Sequence, residues 1–236
     1  MMNFLFKNEV IDYDFFNNKK DKTILFLHGW GGNKFSFQST INLLANQYNI
    51  LTITLPTIEN TTSVWNLFDY TNLVKQILLL HSISNAVVIC HSFGFRIAML
   101  LKKEIDINKL VVTGGAGLKK ENFFKKISKN NNKIILKQAK FKNFYKKIAS
   151  DDYSRLSKTN KETFKNIVNL NLKFAIKFDC PILLFWGKKD KETPLWIARK
   201  ILSKNKAKLI TTDSGHFTYL ENSSLFNHNV LSFLKN

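Results

Sequence analysis

Short apolar runs alternate with longer mixed segments along the chain. The runs are Thr23–Leu27, Ile50–Leu55, Ala86–Cys90, Leu110–Thr113, Ile182–Trp186 and Leu209–Thr212. They are rich in β-branched and aromatic residues and mostly continuous, as strands covered on both faces are. Between them, Lys34–Gln47, Leu67–His81, Phe93–Lys103, Leu195–Lys204 and Leu225–Leu234 carry apolar residues at helical spacing. Alternating strand and helix predicts βαβ units, hence an α/β fold with a mostly parallel, doubly wound sheet. The segment Phe4–Phe16 can add one or two antiparallel edge strands.

One stretch breaks this alternation. From Leu118 to Phe178 there is no strand run, and Glu121–Ser128, Lys133–Ala149 and Lys161–Asn169 read as helices. The expectation is a helical insertion at about 118–178 within a single domain spanning 1–236, since the length suits one domain.

Composition then adds one anomaly. Hydrophobic residues are 44% of the 236, enough for a folded core. Yet 36 Lys+Arg face 17 Asp+Glu, a formal charge of +19. That excess suits an acidic partner: nucleic acid, a membrane surface or an acidic protein. Codon bias is a plainer source, because Lys supplies 33 of the 36 cations and Asn occurs 27 times. The charge is also uneven. Between Lys119 and Lys177 there are 17 basic and 4 acidic residues, and genome-wide bias does not by itself place it there. A solvated helix face or a docking surface would both account for it.

Cys90 and Cys180 lie in or beside apolar runs and read as a reduced, buried pair. No metal-ligand spacing appears, and no cofactor is implied. The N-terminal sequence lacks a basic start followed by an apolar stretch, and no run approaches the ~18 apolar residues of a membrane span. The expectation is a cytoplasmic protein.

In open parallel sheets, chemistry collects at the carboxyl ends of the strands. Here those ends read His28-Gly29-Trp30-Gly31-Gly32, His91-Ser92-Phe93-Gly94, Gly187-Lys188-Lys189-Asp190 and Asp213-Ser214-Gly215-His216-Phe217. They offer a hydroxyl, a carboxylate and an imidazole, in the order Ser, Asp, His. The segment Cys90–Gly94 is a strand–Ser–helix turn, with Cys where G-x-S-x-G has its first Gly.

This set resembles the α/β-hydrolase superfamily over essentially the whole length. H-G-W-G-G resembles its oxyanion loop, C-H-S-F-G its nucleophile elbow, F-W-G-K-K-D its acid turn and S-G-H-F its histidine loop. The resemblance implies Ser92 as nucleophile, His216 as general base and later acid, and Asp190 as the orienting carboxylate. It implies the backbone N–H groups of Trp30 and Phe93 as the oxyanion hole, and the insertion as a cap over the site. The run T-L-P-T-I-E-N-T-T-S after Leu55 departs from the family's Gly-rich loop. Asp213 and Asp179 are rival acids, one too close to His216 in sequence and one at the wrong end of its strand. His28 reads as a loop-shaping hydrogen bonder and His91 as pocket lining. His81 and His228 read as structural or surface residues.

The expected activity is cleavage of a carboxylic ester or thioester through an acyl-enzyme. The H-G-W-G start and basic insertion are similar to pimeloyl-acyl-carrier-protein methyl ester esterases, which makes acyl carrier protein a candidate partner. Peripheral contact with an anionic membrane is another expectation. Nucleic acid is disfavoured, since the insertion has few Arg and no recognised motif. The alternative is a catalytically silent hydrolase-fold binding module for an acidic partner.

Overall fold

The computed structural model describes residues 2–57, 61–119 and 156–235. Eight strands form one sheet: β1 (Met2–Phe6), β2 (Glu9–Phe16), β3 (Thr23–Leu27), β4 (Asn49–Ile53), β5 (Asn85–His91), β6 (Asp106–Thr113), β7 (Ile182–Gly187) and β8 (Ala207–Thr212). Their order is β1-β2-β4-β3-β5-β6-β7-β8. β1 and β2 are an antiparallel hairpin, β2 runs antiparallel to β4, and every other pairing is parallel.

The continuous apolar runs explain the layering. Successive residues of a strand point to opposite faces. Leu25, Leu27, Val88, Cys90, Leu184 and Trp186 enter one core, while Ile24, Phe26, Val87, Ile89, Leu183 and Phe185 enter the other. The first face is covered by α2 (Leu67–Leu80), α3 (Phe93–Leu101) and α5 (Trp196–Leu202). The second is covered by α1 (Gln38–Leu44), α6 (Thr218–Glu221) and α7 (Ser223–Lys235).

Helix α4 (Lys158–Asn169) lies between β6 and β7 in the chain. It is fastened at both ends. Asn160 and Thr163 meet the segment after β4 through Thr61 Oγ1 (2.7 Å) and the Trp65 N–H (2.9 Å). At its other end Arg96 Nη1 on α3 donates to the carbonyls of Ile167 (3.0 Å) and Leu170 (3.1 Å), and Lys119 Nζ donates to that of Asn169 (2.7 Å). Cations suit the negative end of a helix. Burial lowers the Arg96 guanidinium to about 10. The expected helices Glu121–Ser128 and Lys133–Ala149 lie outside the described residues.

Two expectations shift. Helix α1 starts at Gln38, not Lys34, because Asn33–Phe37 is taken up by turns: Ser36 N donates to Asn33 O and Phe35 N to Asn33 Oδ1. Lys34 itself is buried, with Nζ 2.8 Å from both Asp12 Oδ1 and Asp14 Oδ2 on β2. Strand β6 begins at Asp106, earlier than its apolar run, because its polar start is held by pairing with β5.

Candidate active site

Four strand ends converge at one edge of the sheet. Strand β5 runs into Ser92, whose φ of 46° and ψ of −106° place it in a strained region for a non-glycine residue. Such a backbone costs on the order of 1–3 kcal/mol and persists only where its surroundings hold it. Here the Ser92 N–H donates to Thr113 O (3.1 Å), and Ser92 O accepts from Phe95 N (3.2 Å) and Ala116 N (3.0 Å). Gly94 allows the turn to be tight, since a Cβ there would lie 2.2 Å from Leu27 O. The next residue, Phe93, opens α3. Its N–H belongs to the first turn, where helix amides have no intrahelical acceptor.

The acid turn follows β7. Asp190 is 4% exposed, and its Oδ2 lies 2.8 Å from His216 Nδ1. Thr193 closes around it: the Thr193 N–H donates to Asp190 Oδ1 (2.8 Å) and its hydroxyl to Oδ2 (2.7 Å). Glu192 Oε2 stands 3.8 Å from the same His216 nitrogen. Of the rival acids, Asp213 pairs with Lys188 at the surface. Asp179 precedes β7, away from these strand ends.

His91 and His28 hold the surroundings. His91 is buried, and its Nε2 lies 3.2 Å from His216 O, so this nitrogen carries the proton and donates. Burial holds its imidazole well below the ordinary value, with neighbouring His216 adding to the effect. Rather than lining a pocket, His91 fixes the backbone of the histidine loop. In the loop after β3 the Leu55 N–H donates to His28 Nε2 (2.8 Å), which leaves Nδ1 to donate to Gly29 O (2.7 Å). Burial lowers His28 to about 4, so it stays neutral and shapes the loop as expected.

The run after β4 also touches this loop: the Gly31 N–H donates to Thr57 Oγ1 (3.1 Å). The Trp30 ring stands edge-on to Phe93 (5.6 Å) and to Phe164 of α4 (4.9 Å). Among the described residues, the Trp30 N–H has no hydrogen-bond acceptor.

The structure therefore brings Asp190 and His216 into direct contact and sets Ser92 beside Thr113 and next to His91, which itself contacts His216. Ser92 Oγ makes no hydrogen bond to His216 here; such bonds are often long or poorly aligned without substrate. Thr193, Glu192 and the His91–His216 bond were missed in the sequence. The D-x-x-T spacing of Asp190 and Thr193, an acid followed by a hydroxyl in one turn, was the available signal.

The fold matches solved structures over essentially the whole chain. An esterase from Exiguobacterium antarcticum superposes with a TM-score of 0.79 at 14% identity, over 99% of each chain. An enol-lactonase from Burkholderia xenovorans gives 0.75 at 14% identity, over 100% of each chain. The chain has the α/β-hydrolase fold. An uncharacterised hydrolase of Bacillus subtilis, YugF, is 24% identical over 94% of this chain and 93% of its own length. No family model matches. In α/β-hydrolase terms, the segment between β6 and β7, which holds α4, occupies the place of the expected cap. No helix among the described residues is long and apolar enough to cross a membrane.

Proposed function

We propose that the chain is a serine hydrolase that cleaves a carboxylic ester or thioester through an acyl-enzyme on Ser92. The observation that carries this reading is the contact of buried Asp190 with His216, 2.8 Å apart, beside a strained serine at the head of a helix. A serine hydroxyl is a weak nucleophile at neutral pH and needs a base. His216 Nδ1 is engaged by Asp190, which leaves Nε2 as the nitrogen to take the Ser92 proton. Asp190 fixes that tautomer and stabilises the imidazolium that forms.

Attack by Ser92 Oγ on the carbonyl carbon places negative charge on the carbonyl oxygen. The N–H groups of Trp30 and Phe93 would receive it, and one such donor is typically worth about 2.7–4 kcal/mol. His216 then protonates the leaving alkoxide or thiolate. Water, deprotonated by His216, attacks the acyl-enzyme and releases the acid. The esterase and the lactonase of the same fold are named for ester-bond substrates, which supports the same bond class here.

A narrower form of the proposal names the acyl donor. The segment from Lys119 to Lys177 carries 17 basic and 4 acidic residues, and Lys158, Lys165, Lys173 and Lys177 within it are exposed. An ester or thioester presented by an acidic carrier such as acyl carrier protein suits that charge. Binding to the carrier should then weaken as salt rises; no binding at low ionic strength would remove this narrower form and leave the esterase reading intact.

The main test is Ser92→Ala assayed on a short p-nitrophenyl ester, with fluorophosphonate labelling of the unmodified protein. Turnover and labelling should both depend on Ser92. Undiminished turnover in a folded Ser92→Ala variant would overturn the nucleophile assignment. Failure to label the unmodified protein would favour a binding module.

A further inference from the structure

We infer that Thr193 is the positioning residue of the acid–base pair: its hydroxyl holds the Asp190 carboxylate in line with His216. The inference rests on the serine hydrolase reading, because it assigns Thr193 a part in the triad proposed there.

Thr193 is 5% exposed and engages neighbours through every polar atom it has. Its N–H donates to Asp190 Oδ1 at 2.8 Å. Its carbonyl accepts from Trp186 Nε1 at 2.7 Å, which ties the turn back to its own strand. Its Oγ1 lies 2.7 Å from Asp190 Oδ2, 2.9 Å from Gly114 O and 3.2 Å from His216 Nδ1. Pro194 follows, and a residue before proline is disfavoured in the helical region, so the turn is held open.

The single hydroxyl proton has two candidate acceptors, Asp190 Oδ2 and Gly114 O. A lone pair aimed at a carboxylate oxygen 2.7 Å away would be strongly unfavourable, so the proton points to Asp190. The His216 Nδ1–H then meets both Oδ2 and the hydroxyl oxygen. Two donors thus fix Oδ2, and a third fixes Oδ1. Without the hydroxyl, Oδ2 keeps the histidine as its one donor; the carboxylate could then turn about the Oδ1 bond to the Thr193 N–H, and the imidazole would lose its aim at Ser92. Gly114 O lies 2.9 Å from the same hydroxyl oxygen, and a Cβ on Gly114 would come within 3.0 Å of His216 Nδ1. The hydroxyl therefore sits where the acid turn, the histidine loop and the end of β6 meet.

The test compares Thr193→Val, Thr193→Ala and Thr193→Ser. Removing a hydrogen bond to a charged group should cut kcat by about 10- to 100-fold, with KM within about twofold because substrate is not touched. Thr193→Ser should restore turnover to near the unmodified level. The second readout is the far-downfield proton resonance of the Nδ1–H to carboxylate hydrogen bond, assigned by its loss in His216→Gln. It should persist in Thr193→Ser and move or vanish in the folded valine or alanine variant, which a merely structural role would not cause. Wild-type kcat and an unmoved resonance in either folded variant would overturn the inference. So would failure of both the valine and alanine variants to fold, which would assign the hydroxyl to stability alone. Failure of the serine hydrolase reading looks different: Ser92→Ala would keep activity whatever the Thr193 variants do.

Discussion

His91 donates to the main chain of His216, with Nε2 3.2 Å from the carbonyl oxygen and the two rings 4.6 Å apart. The residue before Ser92 thereby fixes the loop that carries His216. His91→Ala should leave the part-buried His216 carbonyl without its donor, at a cost of about 1 kcal/mol in stability. Turnover should fall by more than tenfold while Thr193→Ser stays active. Urea denaturation alongside steady-state kinetics checks both; an unchanged kcat would show that the bond serves packing alone.

Glu192 is the second carboxylate near His216 Nδ1, at 3.8 Å and half exposed. Its solvated position limits it: an exposed pair is worth about 0.2–1 kcal/mol, so Glu192→Gln should cost less than about fivefold in kcat. With Asp190→Asn the balance changes, because Glu192 is then the remaining anion beside the imidazolium. Asp190→Asn should lose about 10²–10⁴ in kcat, and adding Glu192→Gln should remove most of the residue. Additive losses in the double variant would exclude that role.

Gly187 ends β7, and a Cβ there would lie 2.1 Å from Gly215 O and 2.4 Å from Ser214 O. Both are main-chain atoms of the segment leading to His216. Gly187→Ala should therefore cost about 1–3 kcal/mol or more and displace His216. Activity measured well below the melting temperature should fall at least tenfold. A variant that is destabilised yet fully active would show that the histidine loop relaxes independently of the strand.

Stability should fall as pH drops below about 6.5. Burial keeps His28 neutral down to about 4, and His91 to well below its ordinary 6.5. In that window the unfolded chain binds protons that the folded chain refuses. Each such histidine lowers stability by about 1.4 kcal/mol per pH unit until its folded value is reached. Above pH 7 both are neutral in either state and contribute no slope. Urea midpoints between pH 4.5 and 7.5 measure this. His28→Asn should reduce the slope, and a flat profile in the unmodified protein would contradict neutral burial of the pair.

Much of the fold was legible because the central strands are covered on both sides. Thr23–Leu27 and Ile182–Trp186 have no polar face to interrupt them, so the run and the strand nearly coincide. Asp106–Lys109 was invisible for the opposite reason: partner hydrogen bonds, not hydrophobicity, make it strand. At the site, Ser92, Asp190 and His216 stood out through their places at strand ends. His91, Arg96 and Lys34 did not. Their partners are 125, 71 and 22 residues away in the chain, and nothing local marks a buried histidine as a main-chain donor.

The Leu172 N–H donates to Gly117 O at 2.8 Å, and Lys119 reaches Asn169 close by. The chain thus leaves the sheet domain and returns to it at one doorway. Loop closure there is fixed by the doorway itself, so its entropic cost changes only slowly with the length of what passes through. Helix α4 lies inside this excursion and is tied to Thr61, Trp65 and Arg96, so a graft between Gly117 and Leu172 has to carry those contacts with it if the strand ends bearing Ser92, Asp190 and His216 are to keep their places.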